Sequence, residues 1–291
     1  MAASPHLLID SGAAIGLPSC KSDRPLQVHR SRPALGTLFG ICLVGAVEEQ
    51  LSAVAETCLA EVQRQDRRLS RYNSQSEIAR LNREAVRDAV VVDHELAALL
   101  TRCYTAWQRT DGWFDIAANH AWQIKNRRVE FLELGAQLDF SSIGKGYALD
   151  RAAMLLDEFH VSQALLHAGT HSVLAKGNSP TGRGWQVRVR NPASDAQGTE
   201  LLVELDDEAL SVLSADADLH CPVERRSVVA AVAVVAATGF EAEALSTALL
   251  CMGRERAMDY LSTHTGRLSV AWLDEVTFPH EGKWRWLTED R

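Results

Sequence analysis

Two stretches of the chain carry side chains whose types and spacing could handle a phosphate and a metal. In "EAEALSTALL" (241–250), Glu243 and Thr247 stand four residues apart, so on a helix they share one face. A carboxylate and a hydroxyl on one face can supply oxygen ligands to Mg2+, which takes one or two protein carboxylates and fills its octahedron with water and phosphate. The plainer alternative is an exposed glutamate beside a threonine bonded back to its own helix. In "LDFSSIGKGYALDRA" (138–152), Asp139 follows an apolar start, and Lys145 lies between two glycines at the head of a helical run. This is not a P-loop, because no hydroxyl residue follows the lysine and the earlier glycine is missing. A helix N-terminus still offers free N–H groups and partial positive charge to a phosphate, and Lys145 adds a full charge. The plainer alternative makes Asp139 a cap and Lys145 a solvated first-turn lysine.

Two aromatic turns could serve a planar ring. "RYNSQSE" (71–77) sets Tyr72 among small polar residues, and "GWFDIA" (112–117) sets Trp113, Phe114 and Asp115 after a glycine. Stacking faces with backbone donors at the ring edge suit such a ligand, although a loop aromatic can equally plug the core.

The elements that must position these residues follow from periodicity. An apolar run at 35–46 predicts a buried strand. Leu51, Val54, Ala55, Cys58, Leu59 and Val62 follow the spacing of a one-sided helix. The loop after it leads to Ser74 and Glu77, spaced as a capping box, and Asp93 is expected to cap a helix at 95–109. Further on, a helix is predicted at 145–159, a strand at 163–169, and an antiparallel meander through "SVLAKG", "WQVRVR" and "LLVEL". A buried strand at 228–237 feeds the Glu243 helix, and a last helix (254–264) precedes strands around "LSVAWL" and "RWL". Long helices among antiparallel strands predict an α+β fold.

Composition narrows the function. The 291 residues, 46% apolar and 23% charged, suffice for a large core without staples. A net charge of −8 excludes the basic field of a nucleic-acid surface. The six cysteines form no CxxC pair; Cys42, Cys58, Cys103 and Cys251, in apolar-periodic stretches, are expected to be small buried residues in a reducing compartment, with no disulfide framework. The start lacks the basic region and uninterrupted apolar stretch of a secretory signal, and no run approaches the roughly 18 apolar residues of a spanning helix. Residues 1–30 are therefore expected to be a mobile leader, residues 31–291 one domain, and the protein cytoplasmic with no membrane insertion.

In order, "ALGT" (34–37), "LSRYNSQSEIARLN", "GWFDI", "LDFSSIGKGYALD" and "VAVVAATGFEAEALSTALLCMG" resemble the ApbE-type FAD:protein FMN transferases. The resemblance spans residues 34 to about 275. It implies a single α+β domain that binds FAD with Mg2+, moves the FMN half onto a threonine or serine of a target protein and releases AMP. It implies an acceptor flavoprotein or electron-transfer subunit as partner. On the matching positions it makes Leu35 a ring contact, Tyr72 a flavin-loop contact, Trp113, Phe114 and Asp115 the segment whose backbone holds the ligand, and Asp139 and Lys145 ligand contacts. Ser142, Glu243 and Thr247 fall at metal positions.

The chain departs from the family's pattern at several points. Glu243 replaces a usual aspartate, Leu35 a usual methionine, and "HAGTHS" a usual glycine pair. The family's "H-I-x-D-P-x-T-G" loop is replaced by "SADADLHCPVERRS". His220 is then the candidate base for the acceptor hydroxyl, with His167 and His171 as competitors. Two alternatives stay open: hydrolysis of FAD to FMN and AMP, and a flavin carrier without catalysis.

Overall fold

Apolar β-branched runs separated by turn residues form strands, and in this computed structural model, which describes residues 6–9, 25–117, 120–190, 200–215, 229–264, 268–274 and 284–288, they pair throughout as antiparallel ladders. The first elements are β1 (His6–Ile9), β2 (Leu26–Ala34), β3 (Thr37–Gly45), α1 (Glu48–Leu69), α2 (Glu77–Glu84), β4 (Val90–Val91) and α3 (His94–Arg109). They are followed by β5 (Trp122–Lys125), β6 (Arg128–Phe131), α4 (Gly144–Glu158), β7 (Ala164–Ala168), β8 (Ser172–Lys176), β9 (Trp185–Arg190) and β10 (Leu201–Leu205). The last are β11 (Ala209–Ser214), β12 (Val229–Ala236), α5 (Gly239–Thr263), β13 (Ser269–Asp274) and β14 (Trp284–Trp286).

An eight-stranded sheet in the order β14-β13-β12-β11-β8-β7-β3-β2 forms the centre. Side-chain alternation gives it two apolar faces. On one, Leu166, Ala168, Leu174 and Ala209 pack against the buried stripes of α1 and α4. On the other, Leu165, Val173 and Val212 pack against Val187, Val189 and Val203 of the small β1-β9-β10 sheet. A second small sheet, β4-β6-β5, shares a core with α2, α3 and much of α5. The predicted α+β fold is the one observed.

Several boundaries move. The expected leader contributes β1, which pairs with β9, and the first five residues of β2, which pairs with β3 from Leu26 onward. The domain therefore draws strand residues from both ends of the segment 1–30. The expected helix cap at Ser74 lies at Ser76 instead, whose hydroxyl accepts the Ala79 N–H at 2.9 Å and donates to the Ser70 carbonyl at 2.6 Å. Asp93 caps α3 through the Leu96 N–H at 2.8 Å, as expected. The two helices predicted after β12 form one run, broken at Gly253 by a left-handed backbone (φ 71). Cys42, Cys58 and Cys103 are buried thiols. Cys251, expected to be another, is disulfide-bonded.

Candidate functional site

Lys145, Glu243 and Leu35 of the predicted site residues meet at the start of α4. Its N-cap, Ile143, provides no side-chain cap, so the first-turn N–H groups need partners from elsewhere. Glu243 of α5 supplies one: its Oε2 accepts the Gly146 N–H at 2.7 Å. The contact depends on two glycines. A Cβ at Gly146 would lie inside 3 Å of the Gly239 carbonyl oxygen, and one at Gly239 would lie 2.5 Å from the Gly146 oxygen, so the helices cross backbone to backbone. Asp150 locks the crossing by accepting the Gly239 and Phe240 N–H groups at 2.6 and 3.0 Å. Burial raises the Asp150 carboxyl to about 6, against the pull of those two N–H groups.

Glu243 is only 3% exposed. Its second oxygen accepts the Ser172 hydroxyl of β8 at 2.5 Å. Burial pushes its pKa up, and the charge of Lys145 with the Ser172 and Gly146 hydrogen bonds offsets part of that rise. Thr247 lies one turn further along α5, equally buried. The donor set suits a hard cation: a buried carboxylate with unused lone pairs, and a hydroxyl on the same face. No group of three His, Cys, Asp or Glu side chains with metal-binding geometry exists among the described residues, so a metal here would draw on hydroxyl, backbone or ligand oxygens. Ser142, half-buried just before α4, makes no hydrogen bond to Glu243 or Thr247.

Around this centre lie the other predicted contacts. Lys145 donates to the Ser141 carbonyl at 3.1 Å. Leu35 forms the tip of the β2–β3 hairpin with Gly36, both at positive φ (48 and 71), and its Cδ2 reaches toward Gly144. A leucine in the left-handed region is costly, and strain of that kind concentrates at functional positions. Asp139 accepts the Ser141 N–H at 2.9 Å, donates its own N–H to the Ile116 carbonyl at 2.7 Å and pairs with Arg71 at 2.8 Å. Tyr72 is 83% exposed.

The "GWFDI" turn divides by role. Phe114 is fully buried, edge-on to Phe240 at 6.5 Å. The Asp115 carboxylate is enclosed by its own loop, accepting the Ala117 and His120 N–H groups at 3.0 and 2.7 Å. Half-buried Trp113 faces Arg256 at 5.1 Å. Among the histidines, His167 shares the sheet face of Leu165 and lines a cavity of about 560 Å³ with His29 and Cys42, on the face opposite α4 and α5. His171 adjoins Ser172. His220 lies outside the described residues. A second cavity, of about 330 Å³, lies between α3 and the start of α5; neither cavity contains Glu243.

Two participants escaped sequence reasoning. Ser172 had no visible signal beyond a hydroxyl in an apolar strand. Arg71 stood next to Tyr72, and only the fold brings Asp139 to it.

The mixed fold of helices packed on antiparallel sheets is shared with solved flavin transferases. The flavin transferase ApbE from Vibrio cholerae superposes with a TM-score of 0.75 at 19% identity, covering 90% of this chain and 96% of that one. The apo flavinyl transferase ApbE from Pseudomonas stutzeri gives 0.76 at 19% identity, covering 90% and 95%. The FAD:protein FMN transferase of Escherichia coli K12 is 20% identical over 90% of this chain and 93% of its own length. The ApbE family model matches residues 35–131 and 119–272. The chain belongs to the ApbE family.

Proposed function

We propose that the protein transfers the FMN half of FAD onto a threonine or serine hydroxyl of a partner protein, with Mg2+, releasing AMP. The observation that carries this reading is the buried Glu243 carboxylate, tied to the first turn of α4, one helical turn from the buried Thr247 and within the field of Lys145.

Cleaving a pyrophosphate requires neutralising negative charge on its bridging and leaving oxygens. Mg2+ held by Glu243 and Thr247, with Ser142 at the rim, would supply Lewis-acid neutralisation there. Lys145 brings a full positive charge to the same side, and the N–H groups that start α4 add partial charge. Leu35 and Tyr72 would be contacts for the ring system, and the backbone of the segment carrying Trp113, Phe114 and Asp115 would hold its edge. Asp139 shapes the turn that presents Lys145. The acceptor hydroxyl needs a base, and His220 is the candidate for it. The partner is an acceptor flavoprotein or electron-transfer subunit. No helix among the described residues is long and apolar enough to cross a membrane. A cytoplasmic setting belongs to the same proposal. The Cys251 disulfide is the feature at odds with it, and the oxidation state of Cys251 in cells decides the point.

The test is AMP release from FAD and Mg2+, measured by chromatography with and without an acceptor protein. AMP only with acceptor supports transfer; AMP without it indicates hydrolysis, and none indicates a binder. Glu243→Gln is expected to lower AMP release by about 10²-fold or more, as loss of a metal carboxylate does, while flavin binding persists in part. Unchanged turnover in that variant removes Glu243 from the metal site.

A further inference from the structure

We infer that Arg71 is a positioning residue: a clasp that holds the exposed Tyr72 ring against the Asp139 turn and so orders the ring-binding edge of the site. The inference rests on the proposed flavin site, to which it adds a residue. Tyr72 is 83% exposed, so core packing does not fix its ring. The guanidinium does. Arg71 Nη2 donates to the Tyr72 hydroxyl at 2.7 Å, and its Cζ stands 4.8 Å over the ring. With one face against Arg71, the other face is open to a planar ring, and the cation behind it strengthens the arrangement.

The other arm of the fork reaches across the site. Arg71 Nη1 pairs with Asp139 Oδ2 at 2.8 Å, and the Asp139 side chain is 11% exposed. Asp139 is itself fixed on two sides, by the Ser141 N–H and the Ile116 carbonyl. The guanidinium thus joins the loop before α2 to the turn before α4, and the Asp139 N–H ties that turn to the end of the "GWFDI" turn. The loop before α2 is otherwise held by local bonds, including Asn73 N–H to Ser70 Oγ at 3.2 Å and Gln75 N–H to Asn73 Oδ1 at 3.0 Å. A lysine could keep the attraction to Asp139. It could not also stack on Tyr72 and bond its hydroxyl, because a point charge lacks the planar fork.

Two measurements test the clasp. In flavin-free protein, hydrogen exchange read by mass spectrometry should quicken about fivefold or more in Arg71→Met at both 70–76 and 139–142, the scale of losing one partly buried ion pair. Quickening confined to 70–76 overturns the link to Asp139. In FAD titrations followed by flavin fluorescence, Arg71→Met and Asp139→Asn should each weaken binding about fivefold to tenfold, the double variant no further, and Arg71→Lys should recover less than half of the loss. Losses that multiply in the double variant, or full recovery by lysine, overturn the inference. If the unaltered protein fails to bind FAD, the proposed function falls, and the exchange measurement alone decides the clasp.

Discussion

Replacing Gly146 by alanine tests the helix crossing on which the site is built. In a solvent-exposed helix the change stabilises by about 1 kcal/mol, because alanine loses less backbone freedom. Here the new methyl would lie inside 3 Å of the Gly239 carbonyl oxygen and 3.0 Å from Glu243 Cδ. The obstacle is mainly backbone, so α4 and α5 must separate by about 1 Å to reach ordinary contact distance. That takes the 2.7 Å bond between Gly146 N–H and Glu243 out of hydrogen-bonding range. Overpacking costs about 1–3 kcal/mol, and a lost bond to a charged group about 1.5–3 kcal/mol. After the alanine gain, the net is roughly 1.5–5 kcal/mol of destabilisation, or a fall in Tm of roughly 3–8 °C for a domain of this size. Thermal denaturation followed by circular dichroism measures it. Gly239→Ala meets the same neighbour from the other side, so the double substitution should fall short of the sum. An unchanged or raised Tm for Gly146→Ala would refute the close crossing.

Two further outcomes follow from named charges. Lys145→Ala should weaken FAD binding more than riboflavin binding, because the lysine is proposed to sense phosphate; equal weakening counts against that role. Burial pushes Glu95 up, but hydrogen bonds from Arg64 and Gln65 and the charges of Arg68 and Arg64 outweigh it and hold the carboxyl at about 2. Its stabilising contribution is therefore complete above its ordinary value and is lost as pH falls from about 4.5 toward 2. Arg68, 12% exposed, also pairs with Glu77 and Asp93, so Arg68→Met should destabilise by about 3 kcal/mol at pH 7 and by less at pH 3; equal loss at both pH values contradicts this.

Much of the site was legible because helices convert spacing into geometry. Glu243 and Thr247 share a face by the i, i+4 rule, and both are buried. The helical run after residue 144 gave Lys145 its place. β2 was hidden for a physical reason: it is an edge strand, with His29, Arg30 and Ser31 exposed and Pro33 near its end, and edges carry polar residues and proline. β4 has two residues, too few for a period. The capping-box spacing at Ser74 misled because Ser76, anchored to the Ser70 carbonyl, was the better-placed hydroxyl. Ser172 and Arg71 could not be found by pattern, since their partners lie 71 and 68 residues away and only the sheet and helix packing brings them together.

The central claim is that Glu243 and Thr247 hold the cation that meets the FAD pyrophosphate. Crystals grown with FAD and Mn2+, with data collected at the manganese absorption edge, test it most directly. An anomalous peak is expected about 2.0–2.3 Å from an oxygen of each of these two side chains, touching the diphosphate. A peak elsewhere, or bound FAD with no cation between its phosphates and α5, would contradict it.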